Sequence, residues 1–168
     1  NPNVIYTGYW DIGFWYSKDH GASWKSSIPD NDIYPEYSWY LGGGSNVNTI
    51  ISDPELENVV WASFSDDQPY TKSSIFKSVD YGENWTLSNS GLEVLGENTH
   101  GLSIDKNSPV DARVLFVTQK GHVFKSTDGG TSWVQKSTVG GLKFTAIDNE
   151  NSQLIYAGGE NGLWRSTD

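Results

Sequence analysis

Ser17-Lys18-Asp19-His20-Gly21-Ala22-Ser23-Trp24 decides the fold, because its pattern, Ser-x-Asp-x-Gly-x-x-Trp, returns along the chain. It recurs as Ser78-Val79-Asp80-Tyr81-Gly82-Glu83-Asn84-Trp85 and as Ser126-Thr127-Asp128-Gly129-Gly130-Thr131-Ser132-Trp133. Ser166-Thr167-Asp168 opens a fourth copy. The motif serines stand 61, 48 and 40 residues apart. A period of this size indicates a repeat architecture, and it has to be read before any local signal.

Working outward from each motif gives the unit. A short strand precedes it: Phe14-Trp15-Tyr16, Ile75-Phe76-Lys77, Val123-Phe124-Lys125 and Leu163-Trp164-Arg165. A more apolar strand comes earlier, ending at Tyr6, Trp61, Phe116 and Tyr156. Earlier again lies a strand that ends in Asp, over Thr49 to Asp53, Gly101 to Asp105 and Thr145 to Asp148. A few residues continue from the motif Trp, as in Trp85-Thr86-Leu87. β-Branched and aromatic runs between Gly, Asn, Asp and Pro breaks read as strands, and no segment has helical periodicity. Four short strands per repeat predict an all-β chain, a β-propeller fragment of about four four-stranded blades. The blades are expected at about 1–27, 46–90, 98–138 and 142–168. The first enters at its second strand, the last stops within a motif, and there is no Met. A piece of a longer protein is therefore expected, with the remaining propeller blades in the parent chain.

The motif resembles the Asp-box, also called the BNR repeat, over nearly the whole chain. The resemblance implies a structural turn in which Ser and Asp bond backbone N–H groups, Gly takes a positive φ, and Trp packs under the turn. Asp19, Asp80 and Asp128 are accordingly assigned to the fold and not to chemistry.

Composition bounds the function. The 168 residues are 36% hydrophobic and 14% aromatic, with a net charge of −10. That acidity opposes nucleic-acid binding, which rewards Lys and Arg clusters. No run is long enough to span a membrane as a helix. There is no Cys, so no disulfide and no thiol chemistry. His20, His100 and His122 lack metal-ligand spacing, Asp30-Asn31-Asp32 lacks a complete calcium loop, and Gly42-Gly43-Gly44 lacks the Lys of a phosphate loop. No metal and no cofactor are expected. Asn84-Trp85-Thr86 matches a glycosylation sequon but reads as part of the Asp-box turn.

The longer repeats place most of their extra residues on the face opposite the Asp-box turns. Variable loops on a rigid scaffold are where binding and catalysis concentrate. These loops carry Tyr9, Trp10 and Asp11; Tyr34, Tyr37, Trp39 and Tyr40; and Asp66, Asp67 and Tyr70. Flat aromatics beside carboxylates suit a polysaccharide, with rings on the sugar faces and acids on the hydroxyls. The same rings could instead bind a protein partner or cover blade edges.

Tyr6-Thr7-Gly8-Tyr9-Trp10-Asp11-Ile12-Gly13-Phe14 resembles a motif of family 74 glycoside hydrolases, the xyloglucanases and related endo-β-1,4-glucanases. In those two-propeller enzymes a catalytic Asp sits in Asp-Ile-Gly-Gly on this loop. Asp11-Ile12-Gly13 matches, and Phe14 stands in place of the second Gly. The resemblance implies a secreted, inverting hydrolase of β-glucan or xyloglucan, with Asp11 as one catalytic carboxylate; the loop residues Tyr9, Trp10, Tyr34, Tyr37, Trp39, Tyr40, Asp66, Asp67 and Tyr70 are the expected substrate contacts. The alternative is a non-catalytic binding propeller, similar to sortilin-type receptors or photosystem assembly factors. Sialidase chemistry is unsupported, since it needs three arginines and the chain has only Arg113 and Arg165.

Overall fold

A computed structural model describes residues 3–29, 33, 46–65, 72–93 and 99–167. The described residues form four antiparallel sheets in chain order. The first holds β1 (Ile5–Tyr9), β2 (Gly13–Ser17) and β3 (Lys25–Ser27). The second holds β4 (Asn46–Ser52), β5 (Val60–Ser65), β6 (Ser73–Ser78) and β7 (Thr86–Leu87). The third holds β8 (His100–Ile104), β9 (Leu115–Gln119), β10 (His122–Ser126) and β11 (Val134–Gln135). The fourth holds β12 (Leu142–Ile147), β13 (Ile155–Gly159) and β14 (Gly162–Ser166). Each sheet is a meander, and the first lacks a partner for the leading strand of its neighbours. This is the all-β, blade-like architecture that the repeat predicts. A single turn of 3-10 helix, Val110–Ala112, interrupts the β8–β9 connection.

The Asp-box turns are built alike. Ser17 Oγ accepts the N–H of Gly21 at 2.8 Å and donates to Asp19 Oδ1 at 2.8 Å. Asp19 Oδ1 then accepts the N–H of Ser23 at 2.8 Å. Ser78, Asp80, Gly82 and Asn84 repeat the pattern, as do Ser126, Asp128, Gly130 and Ser132. Gly21, Gly82 and Gly130 sit at φ of 86°, 85° and 89°. The side chain of Asn84 is drawn into its turn by a 2.7 Å bond to Asp80 Oδ2.

The tryptophans depart from the expected placement under their own turns. Only Trp24 bonds its own turn, with Nε1 donating to the Gly21 carbonyl at 3.0 Å. Trp85 Nε1 donates to Ser27 Oγ at 2.9 Å and Trp133 Nε1 to the Ser88 carbonyl at 2.9 Å, both in the preceding sheet. The reason is core volume. A sheet buries only what a neighbour covers, and an indole is large enough to fill the wedge between two twisted sheets. Trp85 meets Phe14 edge-on at 4.8 Å between centroids and Phe64 at 5.1 Å. The core is therefore not one cluster but three, each centred between consecutive sheets.

Sheets two and three are also tied by charge. Arg113 is buried, and its guanidinium holds Asp53 with two bonds, Nε to Oδ2 at 2.7 Å and a terminal N–H to Oδ1 at 2.8 Å. A third bond reaches Glu55 Oε1 at 2.9 Å. Burial works to raise the Asp53 pKa, but the Arg113 bonds, the N–H groups of Leu56 and Glu55 and the Arg113 charge together hold it below the usual value.

Candidate functional site

The hairpin between β1 and β2 closes on the Tyr9–Gly13 pair, which leaves Trp10-Asp11-Ile12 as its tip. Asp11 has φ 73° and Gly13 has φ 75°. Asp is among the few side chains that tolerate a left-handed backbone, at a cost of about 1–2 kcal/mol. The conformation is held from the next sheet, where Asn46 Oδ1 accepts the Asp11 N–H at 2.8 Å. Asn46 is fully buried at the start of β4. β1 reaches β4 this closely because Gly8 has no side chain; a Cβ there would lie 2.5 Å from Val47 Cγ1. Two sheets thus fix the backbone of Asp11 while its side chain stays exposed. An accessible carboxylate on a held backbone can accept hydroxyl hydrogen bonds or exchange a proton with a bound molecule.

Trp10 and Ile12 flank it, each 57% exposed. Ile12 is further anchored by its carbonyl, which accepts Trp15 Nε1 at 2.9 Å. Tyr9 closes β1 beside this tip. Residues alternate along a strand, so Tyr9 and Thr7 face away from the side on which Gly8 meets Val47. There Tyr9 lines a groove of about 310 Å³ with Thr7, Ile12, Trp15 and Trp24. Trp15, Trp24 and the anchor Asn46 were not legible as site residues. Trp24 looked committed to its turn, and nothing local marks Asn46 as a partner of a residue 35 positions earlier. Tyr34, Tyr37, Trp39, Tyr40, Asp66, Asp67 and Tyr70 lie outside the described residues, as does Asp30-Asn31-Asp32.

Arg113 is spent on Asp53 and Glu55 and is closed to any ligand. Among the described residues no group of three or more His, Asp or Glu side chains is placed to hold a metal ion. No described helix is long and apolar enough to cross a membrane.

No protein-family model matches the chain. Over 128 residues, 73% of its length, the chain is 29% identical to the xyloglucanase Xgh74A of Acetivibrio thermocellus. It spans only 15% of that protein. Among solved structures it is similar to the GH74 xyloglucanase of Xanthomonas campestris, with a TM-score of 0.70 and 15% identity over 99% of this chain and 26% of that one. A GH74 enzyme of Niastella koreensis gives a TM-score of 0.66 at 20% identity, over 99% of this chain and 27% of that one. The structural likeness shows a common fold, and the sequence likeness is weak and distant.

Proposed function

We propose that this chain is part of a secreted, carbohydrate-active propeller, an inverting endo-β-1,4-glucanase of xyloglucanase type in which Asp11 is a catalytic carboxylate. One observation carries the reading. The residue that matches the hydrolase motif has an exposed side chain, yet its backbone is held in a strained conformation by a buried residue of the next sheet. His20, Tyr81 and Lys120 share the left-handed backbone in other turns, so it is the cross-sheet bond from buried Asn46, together with the motif match, that sets Asp11 apart. The likeness to a xyloglucanase over 128 residues supports the substrate class. In this reading the chain supplies four blades, at about 1–27, 46–90, 98–138 and 142–168, to a longer polypeptide. Trp10, Tyr9, Tyr34, Tyr37, Trp39, Tyr40 and Tyr70 stack on sugar rings, and Asp66 and Asp67 bond hydroxyls. Inversion needs a second carboxyl group across a gap wide enough for a water, about 6.5–9.5 Å from Asp11.

The test is to digest xyloglucan and mixed-linkage glucan with the natural polypeptide that carries this chain and to follow the newly formed reducing ends by NMR. Release of α-anomers first, from β-linked substrate, agrees with the proposal. Release of β-anomers first, or no cleavage of any β-glucan by folded protein, contradicts it. The second reading, a binding propeller without catalysis, is favoured by the groove of Tyr9, Ile12, Trp15 and Trp24, which is aromatic and has no carboxylate among its described lining residues. Retention of soluble glucan without cleavage would favour it.

A further inference from the structure

The leading strands of the second, third and fourth sheets each carry an irregularity. In β4 the ladder slips between Val47 and Thr49, in β8 between His100 and Ser103, and in β12 between Leu142 and Phe144. The extra residue at a bulge drops out of the pairing and its side chain is re-aimed, and bulges recur beside active sites. In β12 that residue is Lys143, which reaches Glu160, just past the end of β13, at 3.5 Å. In β4 it is Asn48, whose Nδ2 donates to Oγ of Ser65, the last residue of β5, at 3.0 Å. The two contacts correspond, since Val47 pairs with Phe64 and Leu142 with Gly159, one residue back on each side.

Asn48 differs from Lys143 in what is left over. Its Oδ1 is closed to solvent and accepts no hydrogen bond, the one such side-chain atom among the described residues. A buried acceptor without a donor has lost its hydration and gained nothing in return. Alanine at this place would carry no such burden. The surroundings show what could use the acceptor. Ser65 pairs with Asn46, and Asn46 Oδ1 accepts the Asp11 N–H at 2.8 Å. Asn48 follows Asn46 by two residues, within about 7 Å along the strand. As a whole the residue is half-buried, and rotation about its Cβ–Cγ bond, a soft torsion, brings the carbonyl outward without moving the backbone. An uncharged acceptor calls for a ligand that gives a proton to a hydrogen bond. A sugar hydroxyl does so, and a carboxylate or phosphate anion does not.

We infer that Asn48 is a further substrate-binding residue beside Asp11, and that its side-chain carbonyl accepts a hydroxyl of the bound glucan. The inference rests on the reading of the Asp11 surface as glucan-active. The bulge in β4 re-aims Asn48 for this contact, and the acceptor left unpaired in the free protein is satisfied in the complex.

The test is calorimetric titration of a soluble xyloglucan oligosaccharide into the natural polypeptide that carries this chain. Asp11→Asn is the background, so that the ligand is not consumed, and Asn48→Ala is added to it. The added substitution is expected to weaken Kd by about three- to tenfold, the worth of one hydrogen bond. Its melting temperature should not fall, because the unpaired acceptor leaves together with the Ser65 bond. A change in Kd of less than about twofold would overturn the inference and leave the glucan reading standing. Weaker binding with a melting temperature lower by more than about 4 °C would assign Asn48 to the fold and overturn it as well. No binding in the Asp11→Asn background, with circular dichroism showing folded protein, would overturn the glucan reading and this inference together. Should Asn48→Ala not fold, Asn48→Ser decides by the same criteria.

Discussion

Arg113 and Asp53, 60 residues apart, form a buried two-point ion pair that joins the third sheet to the second. Neither charge has water to return to, so removing one leaves the other unpaired. Breaking a buried pair in this way costs about 3–5 kcal/mol. Arg113→Ala is therefore expected to lower the unfolding free energy in urea by that amount. Arg113→Lys should recover little of it, because an ammonium cannot reproduce the two parallel bonds. A loss below about 1 kcal/mol in Arg113→Ala would place the pair among exposed, weak ion pairs.

Acid should unfold the protein from a defined side. The pKa of Asp53 is held low in the folded chain. Asp19 is lowered to about 2, by the Ser23 hydroxyl first, then by the Ser23 N–H and the Ser17 hydroxyl. Asp80 and Asp128 are also lowered; partial burial works to raise them, and the bonds from Asn84 and Ser132 outweigh it. An unfolded Asp titrates near 3.9. A depressed folded pKa gives stability that is present above the unfolded value and lost as pH falls through the folded one. The melting temperature should hold between about pH 7 and 5 and fall steadily below about pH 4. A melting temperature that rises on acidification would contradict this.

The three Asp-box tryptophans should differ in weight although their motifs are the same. Trp85 and Trp133 are buried between sheets, whereas Trp24 is 40% exposed. Trp85→Ala and Trp133→Ala are each expected to cost about 3–5 kcal/mol. Trp24→Ala should cost less than half as much. Chemical denaturation of the three variants checks the order, and equal losses would mean that the wedge between sheets is not what the ring stabilises.

A similar contrast applies to two glycines of the motif. Gly21 and Gly82 share the left-handed backbone, so alanine strains both by about 1–2 kcal/mol. At Gly82 the new Cβ would also lie 2.5 Å from Phe14 Cε1, while at Gly21 the nearest atom is 3.6 Å away. Overpacking adds about 1–3 kcal/mol, so Gly82→Ala should be the more damaging by that margin in the same denaturation experiment.

What the sequence reveals is local, and what it hides is long-range. The Ser-x-Asp-x-Gly-x-x-Trp spacing is sufficient for the turn because its bonds span two to four residues, as from Ser17 to Gly21. The alternating runs Ile75-Phe76-Lys77 and Val123-Phe124-Lys125 fall inside β6 and β10. The spacing cannot show that Trp85 bonds Ser27, 58 residues back, since a tryptophan under its own turn and one wedged into the previous sheet have the same pattern. Arg113 looks like any lone arginine until Asp53 is brought against it. At the site, Asp11 was visible through its neighbours Ile12 and Gly13, but its anchor Asn46 arrives from the next repeat. Tyr9 and Ile12, on either side of Asp11 in the sequence, line one groove, and Trp24 reaches it from the Asp-box turn, which the spacing does not show.

The anchor offers a way to separate position from chemistry. Asn46→Ala removes the acceptor of the Asp11 N–H while leaving the carboxylate. If Asp11 acts in catalysis, kcat on xyloglucan should fall by about tenfold or more, since small misplacements of a catalytic group are costly. KM should change little. Retained kcat in folded Asn46→Ala would mean that the held backbone has no part in the reaction.

The most direct measurement is the rate of xyloglucan hydrolysis by the natural polypeptide that carries this chain, compared with its Asp11→Asn variant. The substitution keeps the size of the side chain and its tolerance of a left-handed backbone, and removes only the ionisable group. The account predicts a fall in kcat of about 10²–10⁴, the span of general acid–base catalysis, with the circular dichroism spectrum and glucan binding unchanged. Activity equal to the unmodified protein in folded Asp11→Asn would contradict the assignment of Asp11 as a catalytic carboxylate.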